Sequence, residues 1–247
     1  MDSIKYIGKP ADRNSGVYTL SEINEKIQDQ TYPTNYEIEN SCRFNQGTST
    51  DGLTRTFGSP TNSKKFTYSL WYKLTGPSTG DTLFGCNNSK YSALFLTTIS
   101  SPYNITEGFQ IVLRSTDSGN PVWANQSYRD YSAWNHLVLV QNLDNPDSTK
   151  WQIYINNVNI GSYTYNAVTL GNNGYDWNTA VQHRIGRQSK IYKADIHFVD
   201  GQTLDPTYFA HSHPSTGRWS PKRYQGTYGN NGFHLEFKKT GTHTGVG

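Results

Sequence analysis

The most apolar run in an otherwise polar chain is Trp134-Asn135-His136-Leu137-Val138-Leu139-Val140. In an extended chain Trp134, Val138 and Val140 fall on one face, and Leu137 and Leu139 on the other. A short strand that is apolar on both faces belongs in mid-sheet, covered on each side. Trp134 is therefore expected to lie between two sheets. The next run, residues 151–156, alternates cleanly: Trp151, Ile153 and Ile155 against Gln152, Tyr154 and Asn156, so one of its faces is expected to be wet. Between the two, residues 142–149 are turn chemistry, and Pro146 cannot continue a ladder. The pattern predicts a long-looped antiparallel hairpin at the middle of an all-β domain.

Residues 1–40 read differently. They hold Glu22, Glu25, Glu37 and Glu39, four of the six glutamates, and the one convincing helical pattern. Thr19 followed by Glu22 forms a capping box, and Leu20, Ile23 and Ile27 fall on one stripe with Pro33 beyond the end. A helix of two or three turns is marginal alone and gains stability only by docking. The segment is expected to be an attachment arm, with Leu20, Ile23 and Ile27 as its contact stripe. The same stripe could instead pack on the chain's own domain, and sequence leaves the two open.

From residue 41 strand signals recur at short intervals: residues 42–44, 53–57, 66–73, 82–86, 91–96 and 109–114 before the central hairpin, then 183–187, 191–199 and 232–237. In the third of these, Phe66, Tyr68, Leu70 and Tyr72 share a face. Asp205-Pro206 marks one short helical turn over 207–210. Ten or more short strands without intervening helices predict an all-β, antiparallel two-sheet β-sandwich over residues 41–237, with a polar tail over 238–247.

Composition sharpens this picture. Only 34% of the 247 residues are hydrophobic, yet 18 Tyr, 10 Phe and 6 Trp supply a large buried area per residue. A net charge of +3, with no Lys/Arg block longer than two, argues against nucleic acid as the principal partner. Residues 1–6 lack the apolar segment of a signal peptide, and no apolar run reaches the length of a membrane-spanning helix. A soluble protein without membrane insertion is expected. Cys42 and Cys86 are too few for a disulfide framework and read as small buried thiols.

Several blocks resemble known proteins. Residues 66–71, Leu83-Phe84-Gly85, Trp134 to Val138, Ile153 to Asn156 and Arg184 to Arg187 resemble a laminin-G-like jelly roll, the concanavalin A-like lectin/glucanase sandwich. Residues 194–202, Leu204-Asp205-Pro206 and residues 222–237 resemble virion structural proteins of tailed, marine-type bacteriophages, as does the 16–22 segment ahead of the sandwich. The resemblance implies a concanavalin A-like jelly roll carried on a virion. Its partners would be other capsid or tail proteins and further copies of itself as a homo-oligomer, after assembly in the host cytoplasm. Asn156-Asn157 stands where relatives carry Asn-Gly, and Asn also accepts positive φ, so the hairpin is expected to survive.

Candidate chemistry separates the functional classes. Glucanases of this fold place paired carboxylates two residues apart on one strand. Beyond residue 40 the only glutamates are Glu107 and Glu236, and neither has an acidic partner at that spacing. His211 and His213 lack the further ligands of a zinc site, and no P-loop, dinucleotide motif or nucleophile elbow occurs. No catalytic site, metal or cofactor is expected. Sugars are bound by aromatic faces with planar amides and carboxylates, so Trp123, Asn125, Tyr128, Tyr131, Tyr175, Asp176 and Trp177 are the candidates for carbohydrate contact. The alternative reading is that these aromatics close the sandwich ends or bury against a partner subunit. Asp144 and Asp147 could hold calcium but equally mark a hairpin loop. Two functions stay open: a structural or decorating protein of a phage particle, and an adhesin module that recognises host surface glycans.

Overall fold

The computed structural model describes residues 36–44, 52–77, 80–87, 91–99, 105–113, 120–123, 127–146, 149–160, 177–187, 189–213 and 216–238, with helical positions at Leu20, Ser21 and Asn24. Side chains over 91–123 are described only for Leu94 and Leu96. Leu20 is helical and exposed, while Ile23 and Ile27 lie outside the described residues. Among the described residues no helix is long and apolar enough to cross a membrane.

Fifteen strands follow one another in the described chain. The first seven are β1 (Cys42–Arg43), β2 (Leu53–Thr56), β3 (Lys65–Lys73), β4 (Asp81–Asn87), β5 (Tyr91–Ile99), β6 (Ile105–Leu113) and β7 (Asn120–Trp123). Then come β8 (Asn135–Asn142), β9 (Trp151–Ile155), β10 (Val158–Asn159), β11 (Gln182–Ile185) and β12 (Tyr192–Asp200). A 3-10 turn, Pro206–Tyr208, precedes β13 (Ala210–Ser212), β14 (Trp219–Pro221) and β15 (Phe233–Leu235). The larger sheet runs β1-β12-β3-β8-β9-β10, with β15 also paired to β12, and the second runs β2-β11-β4-β5-β6-β7. Every pairing is antiparallel.

Contacts divide the chain into two compact units. One, Ile38–Pro206 with Gly226–Gly247, contains both large sheets. The other is Met1–Glu37 with Thr207–Gln225. Within it the β13–β14 hairpin is closed by a Lys222 N–H donating to the Phe209 carbonyl at 2.8 Å. There Phe209 stacks on Tyr224 and Arg223 lies 5.2 Å over the Tyr36 ring.

The two large sheets form an antiparallel β-sandwich of jelly-roll type. Phe66, Tyr68, Leu70 and Tyr72 alternate along β3 and all point into one core. They meet Leu137 and Leu139 of β8 and Ile196 and Phe198 of β12 from their own sheet, and Leu83, Phe84 and Ile185 from the opposite one. Tyr68 stacks on Phe84 at 4.7 Å and donates its hydroxyl to the Leu83 carbonyl at 3.2 Å, joining the sheets. Leu83 and Phe84 are both fully buried although adjacent, because the β4–β5 register slips between Thr82 and Phe84; a bulge turns two successive side chains inward. One cation shares this core. Lys193 sits with its Nζ 4.6 Å from the Phe44 ring and donates to Ser189 Oγ at 2.5 Å. Burial draws its pKa down to about 7, against the pull of Asp81 and Cys42.

β8 lies between β3 and β9, and residues 136–141 are buried on both faces, as the apolar pattern requires. β9 alternates buried and half-buried residues from Trp151 to Ile155. Its hairpin to β10 turns through Asn156 and Asn157 at φ 48° and 69°, the paired positive values of a type I′ turn. Trp134 corrects the expectation of burial: β8 begins at Asn135, and Trp134 stands at the strand mouth with 39% of its surface exposed. β7 and the β13–β14 hairpin were not legible in the sequence. β7 carries Pro121, and it occupies the outermost place in the order of its sheet, where a missing N–H is tolerated.

Candidate functional site

Strands β1, β12, β3 and β8 end side by side on the larger sheet. Register sets Arg43 opposite Tyr192 and Tyr192 opposite Lys73. The β3–β8 ladder pairs Tyr72 with Asn135, so one step further Trp134 stands beside Lys73. Directly paired residues of antiparallel strands share a face. Cation, ring, cation, ring therefore form one row across four strands. The Arg43 guanidinium lies 5.8 Å from the Tyr192 ring centre, and Tyr192 meets Trp134 edge to face at 6.4 Å. Arg43 and Trp134 are exposed, and Tyr192 and Lys73 half-buried.

Local structure fixes this row. Oδ1 of Asp130 accepts hydrogen bonds from Ser132 N at 2.8 Å, Ser132 Oγ at 2.7 Å and Ala133 N at 3.1 Å, forming the turn that delivers Trp134. Those bonds hold the exposed Asp130 carboxyl below its usual range. On the other side Asn156 Oδ1 accepts the His136 N–H and Asn156 Nδ2 donates to Asn135 Oδ1, each at 2.8 Å. The start of β8 is thus pinned immediately after Trp134. The row offers ring surface for the apolar face of a cyclic ligand and two cations for an acidic group.

The residues singled out for carbohydrate contact are dispersed. Trp177 is a correction: it is fully buried among Phe66, at 5.6 Å, and Phe84, at 6.0 Å, and is core rather than surface. Tyr128 is half-buried against the core, and burial pushes its phenol pKa up. Tyr131 is 38% exposed, three residues before Trp134. Trp123 falls in β7 by its backbone alone, and Asn125, Tyr175 and Asp176 lie outside the described residues. Asp144 is taken up by Lys64 and Lys65 at 3.0 and 3.2 Å, with Asp147 outside the described residues. Glu236 pairs with Lys238 at 3.0 Å. Cys42 and Cys86 are both free thiols.

Sequence reading missed Arg43, Lys73 and Tyr192, and assigned Trp134 to the core. Each of these residues sits in an ordinary strand pattern, and only register brings them together.

No protein-family model matches the chain, and no curated protein matches it. Among solved structures it is similar to the heptameric SAP-like pentraxin of Limulus polyphemus: 14% identity over 68% of this chain and 79% of that one, TM-score 0.42. It is also similar to a chain from a study of botulinum neurotoxin type C cell entry through two ganglioside molecules: 13% identity over 82% and 49%, TM-score 0.48. Tailspike protein 2 of Escherichia coli O157:H7 bacteriophage CAB120 gives 11% identity over 68% and 23%, TM-score 0.42. The chain spans less than half of each of these last two proteins. Similarity at this level is one of strand arrangement.

Proposed function

We propose that this chain is a non-catalytic glycan-binding module that takes acidic sugars at the Arg43–Tyr192–Lys73–Trp134 row. The observation behind the reading is the solvent-facing Trp134 ring set edge to face on Tyr192, with a cation on either side of Tyr192. The apolar face of a pyranose stacks on such rings. A carboxylate or sulfate pairs with Arg43 or Lys73, the Arg fork giving a bidentate contact. Beyond residue 40 no two acids stand at strand spacing, which argues for binding without cleavage.

A second reading is favoured by the closing sequence block, residues 222–237, which resembles virion proteins. It gives the module a place on a phage particle, as capsid decoration or tail-associated adhesin, with Leu20, Ile23 and Ile27 on the attaching arm. Imaging of the particle tests that placement separately.

The binding test is a glycan array followed by titration with an acidic and a neutral sugar of equal size. Wild type is expected to retain the acidic one. Trp134→Ala and Arg43→Ala are each expected to weaken it by about tenfold or more, as for removal of about 1.4 kcal/mol or more, while melting stays within a few degrees. Equal binding by wild type and both variants would remove the row from the site, and release of reducing sugar would overturn the non-catalytic reading.

A further inference from the structure

On the outer face of the larger sheet, β12 and β15 bring together three ligating side chains from well-separated parts of the sequence. Their register pairs His197 directly with His234, and the two imidazoles stack at 4.1 Å. The β12–β3 ladder carries a bulge between Ala194 and His197, where Asp195 and Ile196 stand opposite the single Leu70. Ile196 stays in the core, and Asp195 takes φ 46°, a left-handed conformation that costs energy for any residue with a side chain. Its carboxylate comes to rest between the two rings: Oδ1 lies 2.6 Å from His234 Nε2 and Oδ2 lies 3.3 Å from His197 Nε2. Asp195 and His197 are buried, whereas 23% of the His234 side chain remains accessible. Burial works to raise the Asp195 pKa, but the two imidazoles beside its carboxylate hold it well below the carboxylate range.

We infer that Asp195, His197 and His234 form a binding site for a zinc-class divalent cation, clipping β15 to β12. One donor atom from each residue lies within 4.8 Å of the others. Two imidazoles with one carboxylate suit zinc and its first-row neighbours, whereas calcium and magnesium require oxygen cages. With ligand bonds of about 2.0–2.2 Å, donors around a tetrahedral ion stand about 3.3–3.5 Å apart. The Asp195–His197 separation already matches at 3.3 Å. For both imidazole lone pairs to meet one ion, the His234 ring must withdraw from Asp195 and turn out of its stack on His197, and it sits on a three-residue strand. A metal-binding imidazole is oriented through its second nitrogen, and His197 Nδ1 lies 2.8 Å from the Tyr228 hydroxyl, with the two rings nearly parallel. With the ion bound, Nδ1–H would donate to the Tyr228 oxygen and the Nε2 lone pair would face the ion. Water at the accessible side of His234 completes four ligands.

The test uses the full chain, stripped with a chelator and titrated with zinc chloride and, in parallel, cobalt chloride. One zinc per chain is expected to bind. At an excess of about a hundredfold over Kd, melting is expected to rise by about 5–10 °C. Cobalt is expected to give visible bands of tetrahedral intensity. His234→Gln should abolish both responses, and a His211→Ala/His213→Ala double variant should leave both intact. Should His234→Gln fail to fold, His234→Cys supplies a thiolate at the same point, and cobalt should then gain a sulfur-to-metal charge-transfer band. Absence of any zinc response in the wild type, a response lost with His211 and His213, or no new band in His234→Cys would each overturn the site.

Discussion

The Asn178 side-chain amide donates to Asp200 Oδ1 at 2.6 Å, linking the loop ahead of β11 to the last residue of β12. Both residues are buried, and Asn178 takes φ 55° to reach the carboxylate. Asp200 Oδ2 also accepts the backbone N–H of Thr61 at 2.7 Å and of Asn231 at 3.1 Å. Asn231 in turn bonds Gly58 through both ends of its amide and donates to Asn178 Oδ1. One carboxylate thereby ties four distant segments into a knot. Although desolvation works to raise its pKa, these bonds keep it lowered.

Removing that acceptor strands several buried donors at once. Asp200→Ala is expected to lower the unfolding free energy by about 3–5 kcal/mol, read from denaturant midpoints at constant slope. Asp200→Asn keeps the shape but turns a donor toward donors, and should also lose stability. A midpoint unchanged in Asp200→Ala would show that the loops close without the knot.

His183 predicts a pH dependence. Its ring stacks on Phe57 at 3.8 Å, and its Nε2 accepts the Asn178 N–H at 3.2 Å, so the other nitrogen carries the proton and donates to the Val181 carbonyl at 2.9 Å. Burial draws its pKa from 6.5 down to about 4, partly opposed by the Val181 bond. The unfolded chain therefore takes up this proton first as pH falls. The neutral ring's contribution is intact above pH 6.5, declines between 6.5 and about 4, and is gone below that. At about 1.4 kcal/mol per unit the total is about 3 kcal/mol. The stability gap between wild type and His183→Gln is expected to shrink as pH falls through this window. A gap constant from pH 7 to 4 would contradict the buried neutral ring.

Two tryptophans should respond in opposite ways. Trp177 fills space between Phe66 and Phe84, so Trp177→Ala is expected to destabilise by about 3–5 kcal/mol through the cavity left behind. Trp134 is 39% exposed at the strand mouth, so Trp134→Ala should change stability by about 1 kcal/mol or less. Comparable losses on thermal melting would put Trp134 back in the core.

The sequence by itself determined the sandwich and much of its core. Period-two burial along β9, and the alternate core side chains of β3, follow from the strand repeat, and the Asn156-Asn157 turn follows from the tolerance of Asn for positive φ. Both are local properties, readable a few residues at a time. Tertiary structure decided the rest. Whether Trp134 was inside or outside depended on which face of β8 met the second sheet, the Leu137/Leu139 face taking the core, and the burial of Trp177 depended on the partners that enclose it. The Arg43–Tyr192–Lys73–Trp134 row and the Asp195–His197–His234 cluster arise from strand register and one bulge. Register couples residues more than a hundred positions apart, and is set by which whole faces find cover in the sandwich, so no single stretch of chain carries it.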